Sequence, residues 1–117
     1  MDAIEPFGID VLDRDGRTVV VPRGELDMAS APELEAAVIP PLESGGWVVL
    51  DLRSLEFIDS SGLRVVVSAH RTAEDGAGRF TAVRGLPGTT VHRIVEIAGI
   101  DSVIEMVDSP DELSDAA

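Results

Sequence analysis

Two adjacent hydroxyls, Ser60 and Ser61, stand between a carboxylate, Asp59, and a glycine, Gly62. A serine in such a place can cap a helix, accept a phosphoryl group or act as a nucleophile, and its neighbours decide among these. Nucleophilic use needs a base and an elbow. The stretch lacks the first glycine of Gly-x-Ser-x-Gly. On a helix, His70 lies nine residues beyond Ser61, roughly 13 Å away and on the opposite face. His92 is not excluded by spacing, but one histidine without further signature makes no triad. With no cysteine, two distant histidines and scattered acids, the chain offers no metal site. Gly85-Leu86-Pro87-Gly88-Thr89-Thr90 lacks the Gly-Lys-[Ser/Thr] ending of a phosphate loop and reads as a turn before a helix. No catalytic residue, metal or cofactor is assigned, and the chain is not expected to be an enzyme.

The elements that position the serines flank them. Trp47 to Leu52 is a short apolar run, as a strand buried on both faces requires. Beyond the serines, Leu63, Val66, Val67 and His70 follow the i, i+3, i+4, i+7 spacing of a helix face. The serines therefore fall at a helix start, where the dipole and free N–H groups favour negative charge. At about 100° per residue, Ser61 is expected to point about 170° from the centre of that stripe and Ser60 about 70°. Ser61 should then face water and Ser60 the core edge. Val65, Ser68 and Thr72 should also point outward, with Val65 a small apolar spot beside Ser61.

Charge narrows the partners. The chain has 117 residues, 22 acids against 9 basic residues, and a formal charge of -13. After Arg93 no basic residue occurs, while seven acids do. Such a surface repels phosphate backbones and anionic lipid, so direct nucleic-acid binding is not expected, and the charge favours a monomer. No apolar run approaches the roughly 20 residues of a membrane span. Met1 to Glu5 lacks the basic and apolar regions of a signal peptide. A cytoplasmic protein with no membrane insertion is expected.

The length suits one domain over residues 1–117. Gly8–Asp13 and Arg17–Gly24 read as strands joined through Asp15-Gly16, a strong hairpin turn. Pro22 is expected at a strand end or exposed edge. Ser30-Ala31-Pro32-Glu33 has the capping-box pattern, with Leu34, Ala37, Val38 and Leu42 as the helix stripe and Pro40-Pro41 limiting its length. Arg79–Val83 alternates like a strand. Thr89 or Thr90 should cap a helix carrying Val91, Ile94, Val95 and Ala98, ended by a left-handed Gly99 against Ile100. Val103–Val107 reads as a last strand, and Ser109-Pro110-Asp111-Glu112 as the start of a terminal helix. The fold class is α/β: an N-terminal antiparallel hairpin plus parallel strands in a small mixed sheet, with helices packed on it.

Leu55-Glu56-Phe57-Ile58-Asp59-Ser60-Ser61-Gly62-Leu63 resembles the signature of STAS domains, above all those of bacterial anti-sigma factor antagonists. Similar landmarks are Gly24-Glu25-Leu26-Asp27, Val83-Arg84-Gly85-Leu86-Pro87 and Ala98-Gly99-Ile100-Asp101, in the same order along nearly the whole chain. The resemblance implies the same architecture, a regulatory phosphoserine at Ser61, and an environment made by Asp27, Asp59, Ser60 and Gly62. Asp27 would orient the serine or a kinase-bound Mg²⁺; equally, it could be a loop aspartate capping the next helix. Implied partners are an anti-sigma factor that is also a serine kinase, and a phosphoserine phosphatase. Glu25, Met28, Ser61, Val65 and Ser68 are the expected contact residues. Two other readings stand beside this one: a scaffold subunit of a regulatory or lipid-transport assembly, and a sensor of a nucleotide or other small anion.

Overall fold

In the computed structural model, which describes residues 6–113, the Asp15-Gly16 turn joins β1 (Gly8–Arg14) to an antiparallel β2 (Arg17–Leu26). Both turn residues have positive φ, 53° and 80°, which matches the twist of a two-residue hairpin. β2 then serves two parallel neighbours in succession. Its first part, Arg17–Val20, pairs with β3 (Trp47–Asp51). Its last part, Gly24–Leu26, pairs with β4 (Leu55–Ile58). Pro22 lies inside β2 and is buried, not at an end or an exposed edge. It sits between the two partner strands, where a missing N–H donor interrupts neither parallel ladder.

The sheet continues in parallel from β3 to β5 (Arg79–Val83) and on to a two-residue β6 (Met106–Val107). Along the sheet the order is β1-β2-β3-β5-β6, with β4 beside β2. Three helices make the crossovers: α1 (Ala31–Glu43), α2 (Ser60–Asp75) and α3 (Thr90–Ala98). α1 buries Ala31, Leu34, Val38 and Leu42. It runs through Pro40 and Pro41, which therefore do not end it. Proline removes the donors for the carbonyls four residues earlier, those of Ala36 and Ala37; Ala36 is exposed and Ala37 half-buried. Buried Leu42 anchors the last turn, which Ser44 and Gly46 close by donating to the Pro40 and Pro41 carbonyls.

Two further expectations are corrected, and one strand, β4, had no counterpart among the expectations. β4 was invisible because its burial runs buried, exposed, exposed, buried, which carries no period of two. The strand expected over Val103–Val107 shrinks to β6, because a 3-10 turn at Ile100–Ser102 carries the chain on in helical fashion. The Ile104 N–H still donates to the Ile100 carbonyl. The terminal helix is a 3-10 turn at Pro110–Glu112, begun by the Ser109 hydroxyl accepting from Asp111 N–H; any continuation, like Met1–Glu5, lies outside the described residues. The Gly99 cap is as expected, with φ 73° and Ile100 packed on the core.

β3 is covered on both faces. Val48 and Leu50 join the main core beneath the helices, while Val49 packs with Val83 and Leu113 in a second cluster. Beside that second cluster, Trp47 lies between Arg17 and Arg79, whose guanidinium carbons are 4.7 and 4.0 Å from its ring centre. Its indole N–H donates to the Thr81 hydroxyl, which donates to Glu105, and Arg79 donates to the same carboxylate at 2.7 Å. The Arg79 hydrogen bond, above all, holds the Glu105 carboxyl below its ordinary pKa. A depressed carboxylate adds stability that is present above the unfolded value and lost as pH falls through the folded one. Glu105→Gln should therefore lower the urea midpoint at pH 7, and the difference from wild type should close as pH drops through the carboxylate range. A gap that stays constant with pH would show that the ion pair contributes nothing.

Candidate functional site

The serines stand where β4 hands over to α2, beside the end of β2. Leu26 pairs with Ile58, and the Asp59 N–H donates to the Leu26 carbonyl at 3.1 Å. This brings the Asp27 and Asp59 segments together at the carboxyl ends of two parallel strands, the edge where α/β sheets hold their sites. Asp59 is the cap of α2. Its Oδ1 accepts from Ser61 N–H at 2.8 Å and from Gly62 N–H at 3.2 Å, and its carbonyl accepts from Leu63 N–H. Two of the amides expected to be free for an anion, those of Ser61 and Gly62, are thus already engaged by a carboxylate. Asp59→Ala should cost about 1 kcal/mol, the usual loss for a removed cap, read as a lower urea midpoint with an unchanged slope.

Gly62 is the pivot of the motif. A Cβ there would lie 2.7 Å from Leu26 Cγ and 2.7 Å from Ile58 Cγ1. The absence of a side chain lets the first turn of α2 sit directly on both strand ends. That close approach also sets the rotation of the helix. Its buried residues are Gly62, Val65, Val66, Ala69 and Ala73, not the stripe centred on Leu63, Val66, Val67 and His70. Measured from the observed face, Ser60 points about 160° away and Ser61 about 100° away. Ser60 is accordingly exposed and Ser61 half-buried, the reverse of the expected order. Val65 is 3 % exposed, so it is no outward apolar spot.

Ser61 instead lies along one side of a groove between α1 and α2, about 400 Å³ in volume. Ser61, Arg64, Val65 and Ser68 line it from α2; Met28, Ala31, Pro32 and Glu35 line it from the α1 side. Met28 is 77 % exposed. Four of the five expected contact residues, Met28, Ser61, Val65 and Ser68, therefore meet in one place. The fifth, Glu25, lies in a neighbouring cavity with Asp27 and Glu33. The Asp27 carboxylate is occupied locally, accepting from the Ala29 and Ser30 N–H groups at 3.0 and 3.1 Å. It braces the turn that leads into α1 without capping the helix itself. Ser30 makes no side-chain cap of α1; its hydroxyl accepts from Asp27 N–H and donates to the Glu25 carbonyl.

Neither histidine joins this groove. His70 lies 3.2 Å from Glu74, and His92 donates its backbone N–H to the Thr89 hydroxyl that caps α3. Among the described residues no group of three His, Asp or Glu is placed to hold a metal, and no helix is long and apolar enough to cross a membrane. The residue that sequence reasoning missed is Arg64. Its signal was spacing alone: three residues after Ser61 places it on the same side of a helix.

Comparison with protein families matches residues 11–108 to the Mlab, STAS domain family. Among curated proteins, BtrV of Bordetella bronchiseptica, which is named as an anti-sigma factor antagonist, is 31% identical over 96 residues, 81% of each chain. The anti-sigma-B factor antagonist of Bacillus subtilis is 26% identical over 100 residues, 86% of this chain and 90% of that one. Among solved structures, an anti-sigma factor antagonist from Mycobacterium paratuberculosis superposes with a TM-score of 0.81 at 28% identity, covering 96% of this chain and 94% of that one.

Proposed function

The chain belongs to the STAS domain family, and from that premise we propose that it is an anti-sigma factor antagonist switched by phosphorylation of Ser61. In its unphosphorylated form it binds an anti-sigma factor that is also a serine kinase, so that a sigma factor goes free. Phosphorylation of Ser61 by that kinase ends the binding, and a phosphoserine phosphatase restores it. The partner brings ATP and Mg²⁺; this chain is substrate and ligand, not enzyme, and works in the cytoplasm.

One observation supports this above the others. The groove joins an exposed methionine from the turn before α1, a small apolar floor from α1 and α2, and a serine hydroxyl from α2. An apolar anchor residue with a polar rim is what a docking surface needs. A phosphate at its edge adds about -1.5 to -2 charges and bulk while leaving the core packing of α2 alone. Asp27 and Asp59 contribute by fixing the two loops that flank the groove, and Gly62 by holding α2 against the strands.

The experiment is direct. Co-express the chain with a candidate kinase partner, add ATP and Mg²⁺, and map the phosphate by mass spectrometry. Modification at Ser61 with release of the partner is the expected result. Phosphate on Ser60 alone, the more exposed hydroxyl, would overturn the assignment of the switch to Ser61.

A further inference from the structure

Any phosphate on Ser61 needs a counter-charge, and the amides of Ser61, Gly62 and Leu63 in its own helix turn are spoken for. Asp59 holds Ser61 N–H and Gly62 N–H with its carboxylate and Leu63 N–H with its carbonyl. Four other arginines are drawn to acids: Arg23 to Asp10, Arg53 to Asp51, Arg79 to Glu105 and Arg84 to Asp108. Arg64 is the arginine that stands beside Ser61. It is exposed, lines the same groove as Ser61, and makes no hydrogen bond or ion pair among the described residues.

We propose that Arg64 is a built-in clamp for phosphoserine 61, folding back over one helical turn to bind the phosphate oxygens inside the groove. This rests on the reading of Ser61 as the phosphoacceptor and adds what holds the modified state. Residues at i and i+3 lie about 5–6 Å apart at Cβ, within easy reach of an arginine. The planar guanidinium presents two parallel N–H donors, which match two phosphate oxygens. The clamp fills the groove and offsets about one of the phosphate's charges. Partner release then follows from a filled groove and a withdrawn arginine as much as from added charge.

The charged groups facing this position are Glu35 from α1 and Asp59 at the start of α2. Both are acids and oppose the second ionisation of a phosphate; the helix dipole favours it in every variant alike, and Arg64 is the side chain lining the groove that favours it. The test installs phosphoserine at position 61 during translation, with no kinase involved, and follows its titration by phosphorus NMR. Arg64→Gln should raise the second phosphate pKa by about half a unit, the scale of a partly exposed ion pair. Arg71→Gln, an exposed arginine lower on the same helix, removes the same charge and should change nothing. Identical titration of wild type and Arg64→Gln, or equal shifts in the two variants, would overturn the clamp. A kinase that ignores Ser61 would instead remove the proposed switch, leaving this titration readable on its own.

Discussion

Ser61→Asp should bind the anti-sigma partner about tenfold or more weakly, while Ser61→Ala should bind normally and accept no phosphate. The loss corresponds to about 1.4 kcal/mol. It is expected because an unmatched charge at a docking surface costs desolvation or repulsion of that order and above. Ser61 is half-buried at the edge of the groove, and among the described residues its hydroxyl makes no hydrogen bond. Alanine therefore removes nothing that the fold uses. Titration calorimetry or surface binding with the purified partner gives the comparison, with urea midpoints to confirm that all three proteins are equally folded. Equal affinities for aspartate and wild type would disconnect position 61 from docking. A loss with alanine would instead make the hydroxyl itself a contact.

Gly62→Ala should destabilise the protein by about 1–2 kcal/mol, although alanine is the better helix former. Removing glycine from a helix gains roughly 0.5–1 kcal/mol. Here the added methyl would meet Leu26 and Ile58 at 2.7 Å, and overpacking of that kind costs about 1–3 kcal/mol. Leu26 and Ile58 are fully buried and sit on paired strands, so neither can step aside cheaply. The expected readout is a lower urea midpoint, together with weaker partner binding, because α2 must lift or rotate and carry Ser61 with it. A midpoint that holds or rises would show that the strand ends yield, and would remove Gly62 from its role as the pivot.

These two variants share a cause: the position of Ser61 is decided by what lies beneath it. The half-burial of the serine, the reach of Arg64 and the joining of Met28 to Val65 all follow from how far α2 is rotated. Asp59 and Gly62 fix that rotation together, one by tying down the first amides and the other by allowing contact with the sheet. A serine placed this way can gain a phosphate with little change to the core, which is the property the proposed switch needs.

Much was legible from residue types alone. Asp15-Gly16 announced a tight hairpin because both positions take positive φ readily. Gly99 before Ile100 announced a helix end, and the continuous apolar run at Trp47–Leu52 announced a strand covered on both sides. The helix start at Asp59 was equally plain, since a short acidic side chain caps free amides wherever they occur. What depended on distance along the chain failed. β4 has no alternation to read, Pro22 is tolerated only because two strands share one edge of β2, and Pro40-Pro41 pass because Leu42 is buried beyond them.

The order of the two serines shows the division most clearly. Local sequence determined that a capped helix begins at Asp59 and that a hydroxyl pair stands on its first turn. Only the tertiary structure decided which hydroxyl meets solvent and which lines the groove. Apolar periodicity weighs large side chains, whereas the face that packs closest is built from the smallest, Gly62, Ala69 and Ala73. Their hydrophobic signal is faint, and their value lies in the approach they permit to Leu26, Ile58 and the neighbouring helix, which no window along the chain can see.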